Sequence, residues 1–183
     1  MRKNILNSLV VLAGTSLLLV SCSKDEDKVK GTLVTHNDFE AVLGWGGTTD
    51  ISVNTEKAHS GKYSIKTGPQ NEYAYTYSQT LGQMSPTKIK ELTLSAWVWV
   101  PNAQASSTLV VSINHSTMVN TVVYYGGIDL SKDVTKYKSW QHVSKTFTLP
   151  DSVQSTNHLK CYLWRAGNSE AVYVDDMTLS VGE

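Results

Sequence analysis

Aromatic side chains are the groups in this 183-residue sequence best suited to contact a ligand. In the segment "LTLSAWVWVP", Trp97 and Trp99 alternate with aliphatic residues, so an extended strand places both indoles on one face and the aliphatic side chains on the other. One face of an antiparallel sheet commonly meets water. Two indoles on the second face therefore indicate either a ligand-binding surface or a strand whose outer side lies under a long loop.

The segment "HLKCYLWRAG" repeats this pattern with Tyr162 and Trp164. Both aromatic residues fall on the same face as Lys160, and a lysine marks that face as solvent-exposed. If this segment and the one containing Trp97 and Trp99 lie in the same sheet, the four aromatic side chains form one exposed platform. Rigid aromatic rings cover the apolar C–H face of a sugar ring with little loss of side-chain entropy, so such a platform predicts carbohydrate binding.

Tyrosines supply further candidates for the same surface. In "VVYYGG", Tyr124 and Tyr125 point to opposite faces, so only one of them can face the core, and we take Tyr125 as a candidate ligand-binding residue. In "EYAYTYS", strict alternation places Tyr73, Tyr75 and Tyr77 on one face. We expect Tyr77 to lie in the core, and the sequence leaves the position of Tyr73 open.

The ionisable residues show no recognisable catalytic pattern. The five histidines are scattered without the paired spacing of a zinc hydrolase, and the chain has no Gly-x-Ser-x-Gly motif and no glycine-rich phosphate loop. We therefore predict that the protein is not an enzyme and has no catalytic residues. A small glycoside hydrolase or polysaccharide lyase is an alternative, since two carboxylates that are distant in sequence can meet in a fold.

The charge balance argues against a nucleic-acid partner. The sequence contains 16 basic and 16 acidic residues, and removal of a leader containing Arg2 and Lys3 leaves 14 basic residues against 16 acidic ones. A protein that replaces the counterions of a nucleic acid needs a basic face, and the lysines here are dispersed. We therefore expect no nucleic-acid binding.

The N-terminus has the pattern of an export and anchoring signal. A basic start and a short apolar run predict a signal peptide over residues 1–21, and "LVSC" resembles the lipobox of bacterial lipoproteins, with Cys22 as the acylated residue. The charged residues that follow predict a tether over 22–30 and a domain over 31–183. The resemblance implies an outer-membrane lipoprotein exposed on the cell surface, which contacts the membrane only through its lipid. With Cys22 acylated, Cys161 has no disulfide partner, and we expect it to be buried as a small apolar residue.

Short segments rich in Val, Thr, Tyr, Ile and Trp recur between clusters of turn-forming residues, which indicates an all-β chain. The predicted strands are "TLVTHNDFE", "KYSIKTG", "AYTYSQTL", "LTLSAWVWV", "STLVVSIN", "NTVVYYGG", "HVSKTFTL", "LKCYLW" and "VYVDDMTL". Many short strands at fairly even spacing, without helical periodicity, predict a two-sheet antiparallel β-sandwich of the jelly-roll type.

Five segments in order support a family resemblance. "HNDFE", "AHSGKYSIKTG", "LTLSAWVWVP", "WQHVSKTFTLP" and "VYVDDMTLSV" resemble, in order and rough spacing, the galactose-binding-like carbohydrate-binding modules, which have a jelly-roll fold. The resemblance implies a structural calcium ion held by Glu40, Asp175 and Asp176 together with backbone carbonyls near "HSGK". The alternative is that the two aspartates cap turns or face solvent.

Together these features predict non-catalytic glycan binding by a surface-anchored lipoprotein, with Trp97, Trp99, Tyr125, Tyr162 and Trp164 as the candidate ligand-binding residues. Its partners are then a polysaccharide or another glycan and, in the same process, separate surface proteins that degrade or import glycans. A different class of function, a structural or adhesive subunit, is the main alternative. That alternative predicts a contiguous apolar patch where the glycan-binding hypothesis predicts a groove with a polar edge.

Overall fold

The computed structural model describes residues 31–43, 50–118, 121–167 and 170–182, which form a two-sheet antiparallel β-sandwich. The strands are β1 (Thr32–Asn37), β2 (Val53–Asn54), β3 (Ser64–Thr67), β4 (Tyr73–Thr80), β5 (Glu91–Trp99), β6 (Thr108–Asn114), β7 (Val122–Asp129), β8 (Trp140–Thr148), β9 (His158–Trp164) and β10 (Val172–Gly182). All nine predicted strand segments are confirmed. The two-residue β2 was not predicted, because so short a strand leaves no alternation to detect.

Each sheet is antiparallel throughout. The larger sheet has six strands, and five of them follow the order β2-β3-β10-β5-β8. The sixth strand, β1, lies on the same side of β10 as β3: β3 pairs with the N-terminal half of β10, and β1 pairs with its C-terminal half. The smaller sheet has four strands in the order β4-β9-β6-β7. This arrangement confirms the predicted jelly-roll sandwich, in which most neighbouring strands are distant in sequence.

The core lies between the sheets and is built by the predicted alternation. The inward side chains of β5, from Leu92 to Val98, are fully buried, as are Leu159 and Leu163 of β9. Each fully buried leucine or valine contributes about 1.5–3 kcal/mol to the free energy of unfolding. Cys161 lies in the same row of β9 and is buried, as predicted, and this burial raises the pKa of its thiol to about 12.

Within the described ranges, three short helical turns connect the strands. A 3₁₀ turn spans Glu40–Leu43, and the four-residue helices α1 (Leu81–Met84) and α2 (Leu130–Asp133) follow β4 and β7. In the part of the chain that the structure describes, no helix is long and apolar enough to span a membrane.

The topology corrects one prediction. Trp97 and Trp99 lie on β5 of the six-stranded sheet, whereas Tyr162 and Trp164 lie on β9 of the four-stranded sheet. Both pairs point away from the core, so they are on opposite outer surfaces of the sandwich. The expectation of one platform made by all four residues is therefore wrong, because alternation determines the face of a strand but not the sheet to which the strand belongs.

Candidate functional site

The outer face of the four-stranded sheet carries four aromatic side chains. Tyr162 and Trp164 alternate with the buried residues of β9, Tyr73 of β4 pairs with Trp164, and Tyr125 of β7 pairs with the outward-facing Ser112 of β6. We call the surface formed by Tyr73, Tyr125, Tyr162 and Trp164 the aromatic face. Tyr73 and Tyr125 are each a little over half exposed, so the rings meet solvent.

Contacts within the aromatic face fix the orientation of its rings. The ring of Tyr73 meets that of Tyr162 edge to face, with 5.7 Å between centroids, and the indole Nε1 of Trp164 donates to Oε1 of Glu72 at 3.1 Å. The pKa of Tyr162 is raised, first by burial and then by the neighbouring Tyr125 and Tyr73. Rings held in this way lose little further freedom when a ligand binds.

A β-bulge brings Tyr73 to this face. The register of β4 against β9 shifts between Ala74 and Tyr77, so Tyr73 points outward while Tyr75 and Tyr77 pack against the core. The core position of Tyr77 is confirmed. The predicted shared face of Tyr73 and Tyr77 is wrong, because the bulge changes the parity of the side chains along the strand.

Two small residues, Val110 and Gly127, lie in the row of the sheet that contains Tyr162. Val110 of β6 pairs with Tyr162 on one side and with Gly127 on the other, and Val110 is fully buried. A Cβ atom at Gly127 would lie 2.8 Å from the carbonyl oxygen of Leu109, so this position requires glycine. Because Val110 has no exposed area, its neighbours close over it, and this part of the face is a continuous surface.

Polar side chains continue the same face beyond the rings. Lys160 lies on β9 between Ser78 of β4 and Ser112 of β6. Further along, Ser78 Oγ and His158 Nε2 are 2.6 Å apart, and Asn114 Nδ2 donates to Ser112 Oγ. The face therefore combines rings that suit the apolar side of a sugar with hydroxyl, amide and amine groups that suit its hydroxyls.

On the opposite surface, Trp97 and Trp99 hold a loop. The ring of His59 stacks on that of Trp97 with 3.9 Å between centroids and an interplanar angle of 11°, and the Lys57 ammonium lies 4.2 Å above the ring of Trp99. These contacts fit the second reading of the segment, a strand covered on both sides. Ligand binding by Trp97 or Trp99 stays a prediction, on a surface separate from the aromatic face.

Three carboxylates fasten this loop, and we call Glu40, Asp175 and Asp176 the carboxylate clamp. Glu40 Oε1 accepts the backbone N–H groups of residues 62 and 63, both at 2.7 Å, and Asp175 Oδ2 accepts those of residues 59 and 60. The side chains of His59 and Ser60 contact Asp176 at 2.6 and 2.8 Å. The clamp therefore ties residues 59–63 to β10 and to the turn after β1.

The carboxylate clamp is held by N–H donors, which does not match the oxygen-rich shell that calcium prefers. Within the four described ranges, no group of three or more His, Cys, Asp or Glu side chains is arranged to hold a metal ion. A calcium ion at Glu40, Asp175 and Asp176 stays a prediction.

Asp175 gives the clamp a pH dependence. Its side chain is fully buried, and this burial raises the pKa of its carboxyl to about 6 from the ordinary 3.8, although three backbone N–H bonds act in the opposite direction. Between pH 4 and 6 the folded protein therefore binds more protons at Asp175 than the unfolded chain does. The free energy of unfolding therefore falls by up to about 3 kcal/mol as the pH rises from 4 to 6. Above pH 6, Asp175 is ionised in both states and causes no further change in stability with pH.

Urea unfolding at pH 4 and pH 7.5 measures this effect when the native protein is compared with Asp175→Asn, which cannot titrate. We expect the native protein to lose stability relative to the variant at the higher pH. Parallel pH profiles for the two proteins would contradict a raised pKa at Asp175.

A groove of about 490 Å³ lies away from both surfaces. One side is formed by α1 and the segment before β5, and the other side is formed by the loop before β9. Pro86, Ile89 and Val153 line it, and the ion pair between Lys88 and Asp151 lies at its edge. No aromatic ring lines this groove. It therefore lacks the flat apolar surface that the aromatic face offers to a sugar.

An antiparallel sandwich with exposed rings across one sheet is the architecture of a carbohydrate-binding module. The family model described as "Carbohydrate binding domain" matches residues 31–168, and the chain belongs to this family of non-catalytic modules. The resemblance to carbohydrate-binding modules is thereby confirmed. A comparison with curated protein sequences gives no significant match.

Solved structures of similar fold include carbohydrate-binding modules of family 22. The CBM22-1 xylan-binding domain of Paenibacillus barcinonensis Xyn10C has a TM-score of 0.54 at 19% identity, over 82% of this chain and 95% of that one. The C-terminal family 22 module of Clostridium thermocellum Xyn10B also has a TM-score of 0.54, at 14% identity, over 81% and 92% of the two chains. At these identities the similarity establishes the fold.

Proposed function

We propose that the protein captures polysaccharide through the aromatic face, without catalysis. The observation that carries this proposal is the placement of Tyr73, Tyr125, Tyr162 and Trp164 on one outer sheet surface, beside a row of polar side chains. Family membership supports a carbohydrate as the ligand.

The affinity expected from this surface is modest. Covering about 40–60 Å² of apolar surface contributes about 1–1.5 kcal/mol for each stacked ring. Two or three such contacts, together with hydrogen bonds and less the cost of association, give a Kd of about millimolar to tens of micromolar. Several copies on one surface would bind a long polysaccharide more tightly through avidity.

The proposed setting is the cell surface. The signal over residues 1–21, the lipidated Cys22 and the tether over 22–30 lie outside the described residues and rest on the sequence alone. An acylated Cys22 would hold the domain at the outer membrane, since each buried CH₂ contributes about 0.8 kcal/mol. The captured glycan would then be held near separate surface proteins that degrade or import it.

A glycan array tests the binding proposal. The full chain, purified in a detergent that contains no sugar, is applied with calcium and again with EDTA. Xylans are included first, because structural neighbours are described as xylan-binding. We expect polysaccharide binding, and signal lost only in EDTA would support a calcium ion in the fold. Absence of binding to every glycan would reject the proposal and favour a protein partner.

Metabolic labelling with a radioactive fatty acid tests the anchor. Label and membrane association are expected to disappear in Cys22→Ser and to persist in Cys161→Ser, the matched control at the buried cysteine. Equal labelling of both variants would reject lipidation at Cys22.

A further inference from the structure

Lys160 places a positive charge in the middle of the face that carries the rings. It lies on β9, one of the two inner strands of the four-stranded sheet, and pairs with Ser78 on one side and Ser112 on the other. Both neighbours are short and uncharged. Lys160 is therefore the charged residue of a row whose neighbours on both sides carry only hydroxyl groups.

No carboxylate of the described residues neutralises this charge. Lys160 makes no hydrogen bond or ion pair within the described ranges, in contrast to Lys132, which lies 2.9 Å from Asp129. Two carboxylates beside the face are already engaged, because Glu72 accepts from Trp164 and Asp129 accepts from Ser131 and Lys132. Both lie at the Trp164 end of the sheet, about 13 Å along β9 from Lys160.

The spacing between charge and ring suits a sugar acid. Lys160 and Tyr162 are two residues apart on the same face, which separates their Cα atoms by about 6.6 Å. A uronic acid ring stacked on Tyr162 carries its carboxylate at the ring edge, within reach of a flexible lysine side chain. A charge-assisted hydrogen bond of this kind is stronger than a bond from the same ammonium to a neutral hydroxyl.

We propose that the ligand is an acidic polysaccharide, whose uronate carboxylate pairs with Lys160 while its ring contacts Tyr162. This inference rests on the proposed function of the aromatic face and adds the chemical class of the polysaccharide. Neutral glycans of similar shape would bind through the rings alone and more weakly.

Calorimetric titration of matched polymers tests the inference. Glucuronoxylan, homogalacturonan and alginate are each titrated beside the neutral polymer made by reducing their carboxyl groups, together with any neutral glycan that binds on the array. The full chain is compared with Lys160→Gln and with Lys136→Gln, which removes an exposed lysine from the loop before β8. We expect at least one acidic polymer to bind about tenfold more tightly than its reduced form.

The variants separate the possible outcomes. Lys160→Gln should abolish the tenfold preference and leave the affinity for the reduced polymer within about twofold, while Lys136→Gln keeps the preference. Equal binding of acidic and reduced forms by the native protein, or equal weakening of both by Lys160→Gln, would overturn the inference and leave glycan binding intact. Failure of every polymer and every array glycan to bind would reject the proposed function itself.

Discussion

Tyr162→Ala is expected to lower the affinity for polysaccharide about 10- to 30-fold while the protein stays folded. Tyr162 lies at the centre of the aromatic face, next to Tyr73 and close to Tyr125. Its removal takes away about 1–1.5 kcal/mol of direct ring contact and also the support of the neighbouring rings. Calorimetric titration with the tightest-binding array glycan measures the loss, and circular dichroism checks the fold.

Trp99→Ala is the matched comparison, because it removes a larger ring from the opposite surface of the sandwich. If the aromatic face is the binding surface, this variant binds the glycan as the native protein does. Loss of binding in a folded Trp99→Ala protein, with binding retained in Tyr162→Ala, would move the binding site to the six-stranded sheet.

Gly61→Ala is expected to lower the free energy of unfolding by about 3–5 kcal/mol. Gly61 has a φ of +55°, which costs an L-residue about 1–2 kcal/mol, and a Cβ atom there would lie 2.4 Å from Cδ and Oε1 of Glu40. The Glu40 carboxylate would have to leave the N–H groups of Lys62 and Tyr63. Hydrogen bonds to a charged group contribute about 1.5–3 kcal/mol each, but water can replace part of this at the exposed N–H of Lys62, so losing both adds about 2–3 kcal/mol to the strain.

Gly167→Ala separates backbone strain from loss of the clamp. Gly167 has a φ of +81° with no atom within 4 Å of a Cβ, so urea unfolding should show a loss of only about 1–2 kcal/mol. In a Glu40→Ala background, Gly61→Ala should lower the free energy of unfolding by no more than the roughly 1–2 kcal/mol expected for Gly167→Ala. Equal losses at the two glycines in the native background would show that Glu40 does not stabilise the loop.

The alternation of inward and outward side chains along each strand could be predicted from the sequence, and much of the fold followed from this alternation. Alternation in β5 and β9 correctly separated the buried aliphatic rows from the outward aromatic ones. It also placed Tyr162, Trp164 and Lys160 together on one face, and opposite orientations for Tyr124 and Tyr125 are confirmed. These are local consequences of extended backbone geometry, so they need no knowledge of which strands pair.

Strand pairing and bulges were not readable in the same way. Trp97 and Tyr162 have the same local pattern, and only the long-range pairing of β5 with β10 and of β9 with β6 puts them in different sheets. The bulges at Ala74/Tyr77 and at Asp175/Thr178 change side-chain parity without a clear sequence signal. In β10, Asp176 adopts a φ of +48°, and both aspartates of the pair reach the same loop.

The covering of Trp97 and Trp99 depends on contacts between distant segments. Lys57 and His59 reach these rings because the loop is tied to the last strand, more than 110 residues away in the chain. A lysine and a histidine in a loop give no signal in a single sequence that they will contact tryptophans on a distant strand. The sequence pattern nevertheless offered a loop-covered strand as one of two alternatives, because two indoles opposite a complete aliphatic row indicate that a loop or a ligand contacts the outer face.

Strand β9 joins the aromatic face to the interior through single peptide units. Tyr162 faces outward, while Cys161 and Leu163 on either side of it belong to the buried core. Local opening that exposes the Cys161 thiol must therefore distort the backbone under the central ring of the aromatic face. A bound glycan stabilises the closed form by RT ln(1 + [L]/Kd), so occupancy on the outside is coupled to the rate at which the core thiol becomes reactive.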